Sequence, residues 1–244
     1  MTGGETTHRR RPLLVELMGL AGSGKSTAFE ELVRRRPEIE SRPTLTRPRR
    51  APVTAWNVAS VLAHLVRARA ITRHTRPQDV RLMTYLQALP RVLDREGGDE
   101  RTIVFDQGPL YLLARAGLQG ERLRPWWTRT FDEWAHRLDA VVFLDAPDPV
   151  LLERIDGREK WHALKGRAGE PAREALTRTR AVYEHELARL ESREHPPTIV
   201  RLDTSRATPG DVVDGIVALL ERQRAGLGAP EPVAAQPSGA SLRR

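Results

Sequence analysis

The run GLAGSGKST, residues 19–27, places three glycines, Gly19, Gly22 and Gly24, ahead of Lys25, Ser26 and Thr27. Three glycines in six positions weaken helix and strand alike, so some contact there requires bare backbone. The spacing is G-x-x-x-x-G-K-[ST], the pattern of a loop whose N–H groups wrap phosphates. A phosphate chain touches several N–H groups at once, and a Cβ would block that approach. The start of a following helix adds unpaired donors and the positive end of a dipole. Gly19, Gly22, Ser23 and Gly24 are then the cradle. Lys25 reaches the β- and γ-phosphates as a point charge, the Ser26 hydroxyl coordinates Mg2+, and Thr27 adds a contact to the α-phosphate.

Three further stretches carry charge that suits such a loop. In TIVFDQGPLYLLAR, 102–115, Asp106 ends an apolar run and opens a loop. Its carboxylate is expected to hold Mg2+ through water or to take the acceptor's proton, with Gln107 and Gly108 extending the site. The plain alternative is that Asp106 caps the next helix. In VVFLDAPDPVLLERIDGREKWHALKGR, 141–167, a helix would carry Arg154, Arg158, His162 and Lys165 in a stripe of roughly 80°. Such a segment, hinged at Gly157 and Gly166, closes over a transferring phosphoryl group; the alternative is a solvated charged face. All three lysines of the chain, Lys25, Lys160 and Lys165, fall in the glycine loop or in this segment. Asp145 belongs to the site or is purely structural, with both open. In RPTLTRPRRAPVTAW, 42–56, Arg42, Arg47, Arg49 and Arg50 occur with no carboxylate. Arginines there favour an acceptor that already carries phosphate. A hydroxyl acceptor would instead use Asp106 as base. Trp56, Arg73, Arg81 and Tyr85 line an acceptor pocket or belong to the scaffold.

The elements that must position these residues alternate in type. LLVELM (13–18), 102–106, 140–145 and 198–203 are apolar runs of strand length, and a weaker strand is expected near 43–46. Helical periodicity covers 25–36, 55–72, 79–95, 109–117, 124–138, 149–165, 171–193 and 209–223. Asp148 is read as an N-cap ahead of Pro149, and Thr208 or Gly210 as the start of the last helix. Alternation of this kind predicts an α/β fold, a mainly parallel sheet with helices on both faces. The glycine loop and Asp106 then meet at the sheet's carboxyl edge. Residues 51–100 exceed one crossover and are expected as a helical insertion on the acceptor side. Trp127, Phe131, Trp134 and Leu138 fall on one helix face, a core stripe.

Composition narrows the class. The 244 residues suffice for one large domain, from 12 to 223, between a disordered basic arm (1–11) and a flexible tail (224–244). No cysteine is present, which removes disulfides, thiolate metal sites and a cysteine nucleophile, and suits a cytoplasmic location. The formal charge of +8 favours anionic ligands, but no nucleic-acid module is present. His64, His74, His136 and His185 lack ligand-like spacing. Residues 8–22 superficially resemble a twin-arginine leader, but Glu16 interrupts the short apolar run. No stretch is long enough to span a bilayer.

GTP-binding proteins read their base with an N-K-x-D motif, and Asn57, the only asparagine, lies in none; the L-S-G-G-Q signature of ABC-type ATPases is also missing. With the loop at 19–27, DQG at 106–108, LDAPDPVLLERI…R at 144–158 and RLDTSRATPGDVVDGI at 201–216, the chain resembles the P-loop nucleoside/nucleotide kinase superfamily. The likeness is to its thymidylate-kinase-like and deoxynucleoside-kinase-like members. It covers about 13–50 and 100–222 and is vague across 51–100. It implies a three-layer fold with a five-stranded parallel sheet, a mobile lid at 150–170 and ATP with Mg2+ as donor. It further implies lid or donor-contacting roles for Arg154 and Arg158, and an Asp203–Thr204 loop flanking the adenine. Two departures stand out. Gln107 replaces an arginine that many members carry, and the catalytic Glu that deoxynucleoside kinases place after strand 2 has no counterpart between Arg42 and Trp56.

The function expected is phosphoryl transfer from ATP to a nucleoside or nucleoside monophosphate. Two alternatives stay open: a kinase for a non-nucleoside acceptor such as an antibiotic, sugar or cofactor precursor, and a nucleotide-binding regulatory protein without turnover. A homodimer is an open option, and neither a membrane nor a nucleic acid is expected as partner.

Overall fold

A computed structural model describes residues 11–41, 43, 45, 50–67, 77–96, 101–117, 123–159, 161–167 and 169–226. Five strands, β1 (Leu13–Gly19), β2 (Ile39–Glu40), β3 (Thr102–Phe105), β4 (Ala140–Asp145) and β5 (Thr198–Asp203), form one sheet in the order β2-β3-β1-β4-β5. Every pairing is parallel. The helices between them are α1 (Lys25–Arg35), α2 (Ala51–Arg67), α3 (Pro77–Glu96), α4 (Pro109–Gly117), α5 (Arg124–Arg137), α6 (Asp148–Asp156), α7 (Glu170–Glu191) and α8 (Pro209–Arg224).

Successive strand residues point to opposite faces, and both faces are covered. Leu14, Met18, Ile103, Phe105 and Phe143 pack with Leu86, Leu110, Trp134 and Leu187 on one side. Val15, Leu17, Val104, Val142 and Leu144 pack with Ala28 and Leu32 of α1 and Val213 and Ile216 of α8 on the other. Trp127, Phe131, Trp134 and Leu138 are buried as the helical spacing predicts. Trp134 meets Phe105 edge-on at 6.2 Å and donates its indole N–H to the Leu86 carbonyl at 3.1 Å, which ties α5 to both β3 and α3.

The chain leaves β1 for one edge of the sheet, returns through β3 beside β1, and crosses to β4 on the other side. The order therefore reverses at β1, and a crevice opens beyond its carboxyl end. The glycine loop follows β1 and Asp106 follows β3, so the topology brings both to that crevice.

Several boundaries differ from the periodicity. The short strand is Ile39–Glu40, not 43–46; Pro43 and Leu45 are not strand, and the rest of 43–46 lies outside the described residues. Helix α6 stops at Asp156, far short of 165, because Gly157 closes it onto the Glu153 carbonyl and the chain then turns. The same helix starts at Asp148, which is not a cap. Its carboxylate pairs with Arg180 at 2.8 Å. Thr208 does cap α8, in a reciprocal box with Asp211. Residues 1–10 lie outside the described residues, whereas Arg11 pairs with Asp139 at 2.8 Å. At the other end α8 runs to Arg224, which donates to Thr102 at 2.7 Å, and 227–244 lie outside. No helix among the described residues is long and apolar enough to cross a membrane.

Candidate active site

The glycines of the loop divide by task. A Cβ on Gly19 would lie 2.0 Å from the Leu144 carbonyl oxygen, and one on Gly22 would lie 2.6 Å from that of Leu151. These two let the loop press against β4 and α6. Gly24 is different: nothing lies within 4 Å of its Cβ position, and its φ of 86° is the left-handed conformation that turns the chain into α1. The first helical bond runs from Ala28 N–H to the Gly24 carbonyl at 2.8 Å. The N–H groups of Lys25, Ser26 and Thr27 precede it, no side chain caps them, and the first turn holds no acidic residue. A helix start left open in this way attracts an anion.

That opening faces a cavity of about 300 Å3 lined by Gly22, Gly24, Thr27, Arg154, Arg158 and Thr204, among others. Ser23 is fully buried beneath it, while Ser26 and Thr27 are exposed. The Lys25 ammonium donates to the Gly19 and Leu20 carbonyls at 2.8 and 2.6 Å and reaches Ser23 Oγ at 3.3 Å. It thus lies folded back along the loop. Burial, and after it the positive charge of Arg158, lower its pKa to about 8 against the opposing carboxylates of Asp106 and Asp145.

Asp106 stands at the carboxyl end of β3, half-buried, near enough to Lys25 for its charge to favour the ammonium. Among the described residues no hydrogen-bond donor engages its carboxylate. Asp145, by contrast, is committed to structure. Its carboxylate accepts from Arg180 Nε at 2.7 Å and from the Ala146 N–H at 2.8 Å. The donors suit Mg2+, which takes hard oxygens and relies on phosphate and water for most of its shell. Ser26 offers an exposed hydroxyl and Asp106 an unengaged carboxylate, and among the described residues no cluster of three acidic or imidazole side chains competes.

The four cations expected on one helix face do not share one. Arg154 alone lies on α6. Its guanidinium donates to the Thr204 carbonyl at 2.8 Å and to Thr204 Oγ1 at 3.1 Å, and reaches the Gly22 carbonyl at 3.4 Å. Arg158, on the turn after α6, lines the cavity, and no acceptor among the described residues engages it. His162 turns its Nδ1 to the Leu164 N–H at 3.1 Å, and burial and the nearby Arg158 lower its pKa. Lys165 donates to the Arg158 carbonyl, and Gly166 N–H reaches Asp156 at 2.8 Å, which closes the turn on itself. Lys160 lies outside the described residues.

On the acceptor side the structure revises one residue. Arg50 is 4% exposed and donates from Nε to Glu96 at 2.6 Å, so it is a buried structural partner. Arg42, Arg47, Arg49 and Arg73 lie outside the described residues. Trp56 is 72% exposed on α2, Arg81 is exposed, and the Tyr85 hydroxyl donates to the Pro43 carbonyl at 3.3 Å.

Glu16 was readable only as an interruption, yet it is fully buried at the start of α4. Its oxygens accept from Leu110 N–H at 3.0 Å and Tyr111 N–H at 2.8 Å. Burial raises its pKa to about 7 against those bonds. The signal was present in the sequence: it is the one charge in an otherwise apolar strand.

Known proteins match this arrangement at different levels. The chain resembles in structure a deoxyadenosine kinase from M. mycoides, solved with dCMP and a flexible dCDP bound, at 16% identity and a TM-score of 0.47, over 86% of this chain and 99% of that one. It also resembles thymidylate kinase from Candida albicans at 18% identity and a TM-score of 0.49, over 91% and 96%. No curated protein sequence matches. A family described as AAA domain matches residues 14–186, which run from β1 through most of α7 and include the glycine loop, Asp106, Arg154 and Arg158. With that span matched on a sheet of order β2-β3-β1-β4-β5, the chain belongs to the AAA domain family.

Proposed function

We propose that the protein transfers a phosphoryl group from ATP, with Mg2+, to a nucleoside or nucleoside monophosphate. The observation that carries this function is the open N-terminus of α1, which shares a cavity with Arg158, a cation without an anionic partner among the described residues. Arg158 lines that cavity, and its charge acts on Lys25, which lies folded along the loop beside it. A polyphosphate would relieve that repulsion.

In this scheme the N–H groups of 24–27 hold the donor's phosphates. Lys25 leaves the Gly19 and Leu20 carbonyls to meet them. Arg158 adds charge where the phosphoryl group is transferred, and the segment 150–170 covers it and excludes water. Arg154 shapes the cavity by tying Thr204 to Gly22. Ser26 and Asp106 would hold Mg2+, which neutralises charge on the transferring group. Domain limits follow the same scheme: 12–223 as the catalytic unit, with 51–100 on the acceptor side.

The burial of Arg50 removes one of the arginines that favoured a phosphorylated acceptor. That favours a hydroxyl acceptor, for which Asp106 would take the acceptor's proton in place of its metal role, leaving Ser26 and the phosphates to hold Mg2+. Incubation with ATP and Mg2+ against nucleosides, nucleoside monophosphates, sugars and aminoglycoside-type antibiotics tests this. ATP consumption with nucleosides or their monophosphates is the expected result. Consumption only with another acceptor class would move the enzyme to that class, and binding of ATP with no consumption would make the protein a nucleotide sensor.

A further inference from the structure

Glu16 does something a strand residue seldom does: it holds both ends of a loop on a neighbouring strand. Its backbone pairs in register with Phe105, the residue before Asp106. Its side chain crosses to the start of α4, where it accepts from Leu110 and Tyr111 at 3.0 and 2.8 Å and also faces the Gly108 N–H. The loop 106–109 therefore lies between two anchors supplied by one residue. Gly108 is part of the same arrangement, since a Cβ there would lie 2.4 Å from Glu16 Cδ.

The donors that Glu16 takes are those a helix leaves open at its N-terminus. A local aspartate, asparagine or serine ordinarily satisfies them. Asp106 stands in the loop just ahead of α4, yet no donor among the described residues engages its carboxylate, and a carboxylate buried in the sheet does the capping instead. Burying that group costs stability, so a cap alone is a poor reason for it.

We propose that Glu16 is a positioning residue: it caps α4 in place of Asp106 and fixes the 106–109 loop, so that the Asp106 carboxylate stays directed to the Lys25 side of the glycine loop. The proposal rests on Asp106 acting in the phosphoryl transfer described above. The test is Glu16→Gln, which keeps the shape but turns an amide N–H toward backbone donors, made alone and with Asp106→Asn.

Glu16→Gln lowers kcat about tenfold with KM for ATP within about twofold, and the loss shrinks to under about twofold in the Asp106→Asn background. Hydrogen exchange at the Leu110 and Tyr111 amides rises about tenfold. Equal losses in both backgrounds, no loss at all, or unchanged exchange would overturn the proposal. Should the unaltered protein turn over no acceptor, phosphoryl transfer is what fails. Exchange at Leu110 and Tyr111 then decides whether Glu16 holds the loop. If Glu16→Gln does not fold, Gly108→Ala, whose Cβ would press on the same carboxylate, is expected to give the same pattern, and a Gly108→Ala variant with full activity would overturn it.

Discussion

Arg154 and Thr204, 50 positions apart, are joined by two hydrogen bonds, 2.8 Å to the carbonyl and 3.1 Å to the hydroxyl of Thr204. The same guanidinium reaches the Gly22 carbonyl at 3.4 Å, so the loop after β5 is tied to the loop before α1. Both loops border the cavity at the α1 N-terminus. Hydrogen bonds from a charged donor contribute about 1.5–3 kcal/mol. These bonds hold the cavity wall, so Arg154→Ala should lower stability by about that amount and weaken ATP binding indirectly, by at most about 100-fold. Arg154→Lys should recover little of it, because an ammonium does not reproduce the planar fork. Calorimetric ATP titrations of the two variants check this; a lysine variant with wild-type affinity would show that the tie is dispensable.

Lys25 makes a prediction about protons. Burial and Arg158 lower its pKa to about 8 in the free protein, so near pH 8.5 much of it is neutral. Phosphates beside it favour the charged form. Binding of ATP at pH 8.5 should therefore take up protons, and the uptake should fade toward pH 6.5, where Lys25 is already charged. Calorimetry in buffers of different ionisation enthalpy reads the proton count directly. Proton release at pH 8.5, or none in either direction, would contradict the placement of Lys25 against the phosphates.

Glu16 sets a pH dependence of stability. Its folded-state pKa of about 7 lies above the ordinary 4.5. Between these values the folded state binds more protons than the unfolded state, so its contribution to stability falls as pH rises. The contribution is full below about pH 4.5 and is lost by about pH 7, a change of about 3 kcal/mol. Urea unfolding of the wild type and Glu16→Gln from pH 5 to pH 8 checks this. The difference between them should move against the wild type as pH rises, then level off. A constant difference would mean that Glu16 is ionised throughout.

The Arg50–Glu96 pair separates architecture from chemistry. The Arg50 side chain is 5% exposed and that of Glu96 16%. Removing one partner of a buried pair typically costs 3–5 kcal/mol, less where the pair is partly exposed, so about 2 kcal/mol is expected here. Glu96→Ala should show that loss in denaturant unfolding with no change in KM for any acceptor. A raised KM with unchanged stability would return Arg50 to the acceptor site.

The four longer strands were legible because short β-branched and apolar runs, too brief for a helix and bounded by turn residues, suit strands buried on both faces. Ile39–Glu40 is too short to leave such a run. The lid region misled for a physical reason: Arg154, Arg158, His162 and Lys165 keep helical spacing, but Gly157 and the Asp156–Gly166 bond set a turn that charge periodicity cannot reveal. The conformation of the glycine loop was legible because its residue types fix it locally: Gly24 takes a positive φ, and α1 starts at Lys25 without a cap. What escaped were partnerships across the sheet. Arg154 with Thr204, Arg50 with Glu96, and Glu16 with the start of α4 depend on which strands lie side by side, and a charge read alone does not name its partner.

The central claim is that a nucleoside triphosphate lies against the open N-terminus of α1 with Lys25 at its phosphates. Titration of ATP with Mg2+ into the wild type and into Lys25→Ala, with folding of both confirmed by circular dichroism, tests it most directly. Saturable binding to the wild type, weakened at least about 100-fold in the variant, is the predicted result, given several charge-assisted contacts from one ammonium. Equal affinity in the two proteins, or no binding of ATP to the folded wild type, would contradict it.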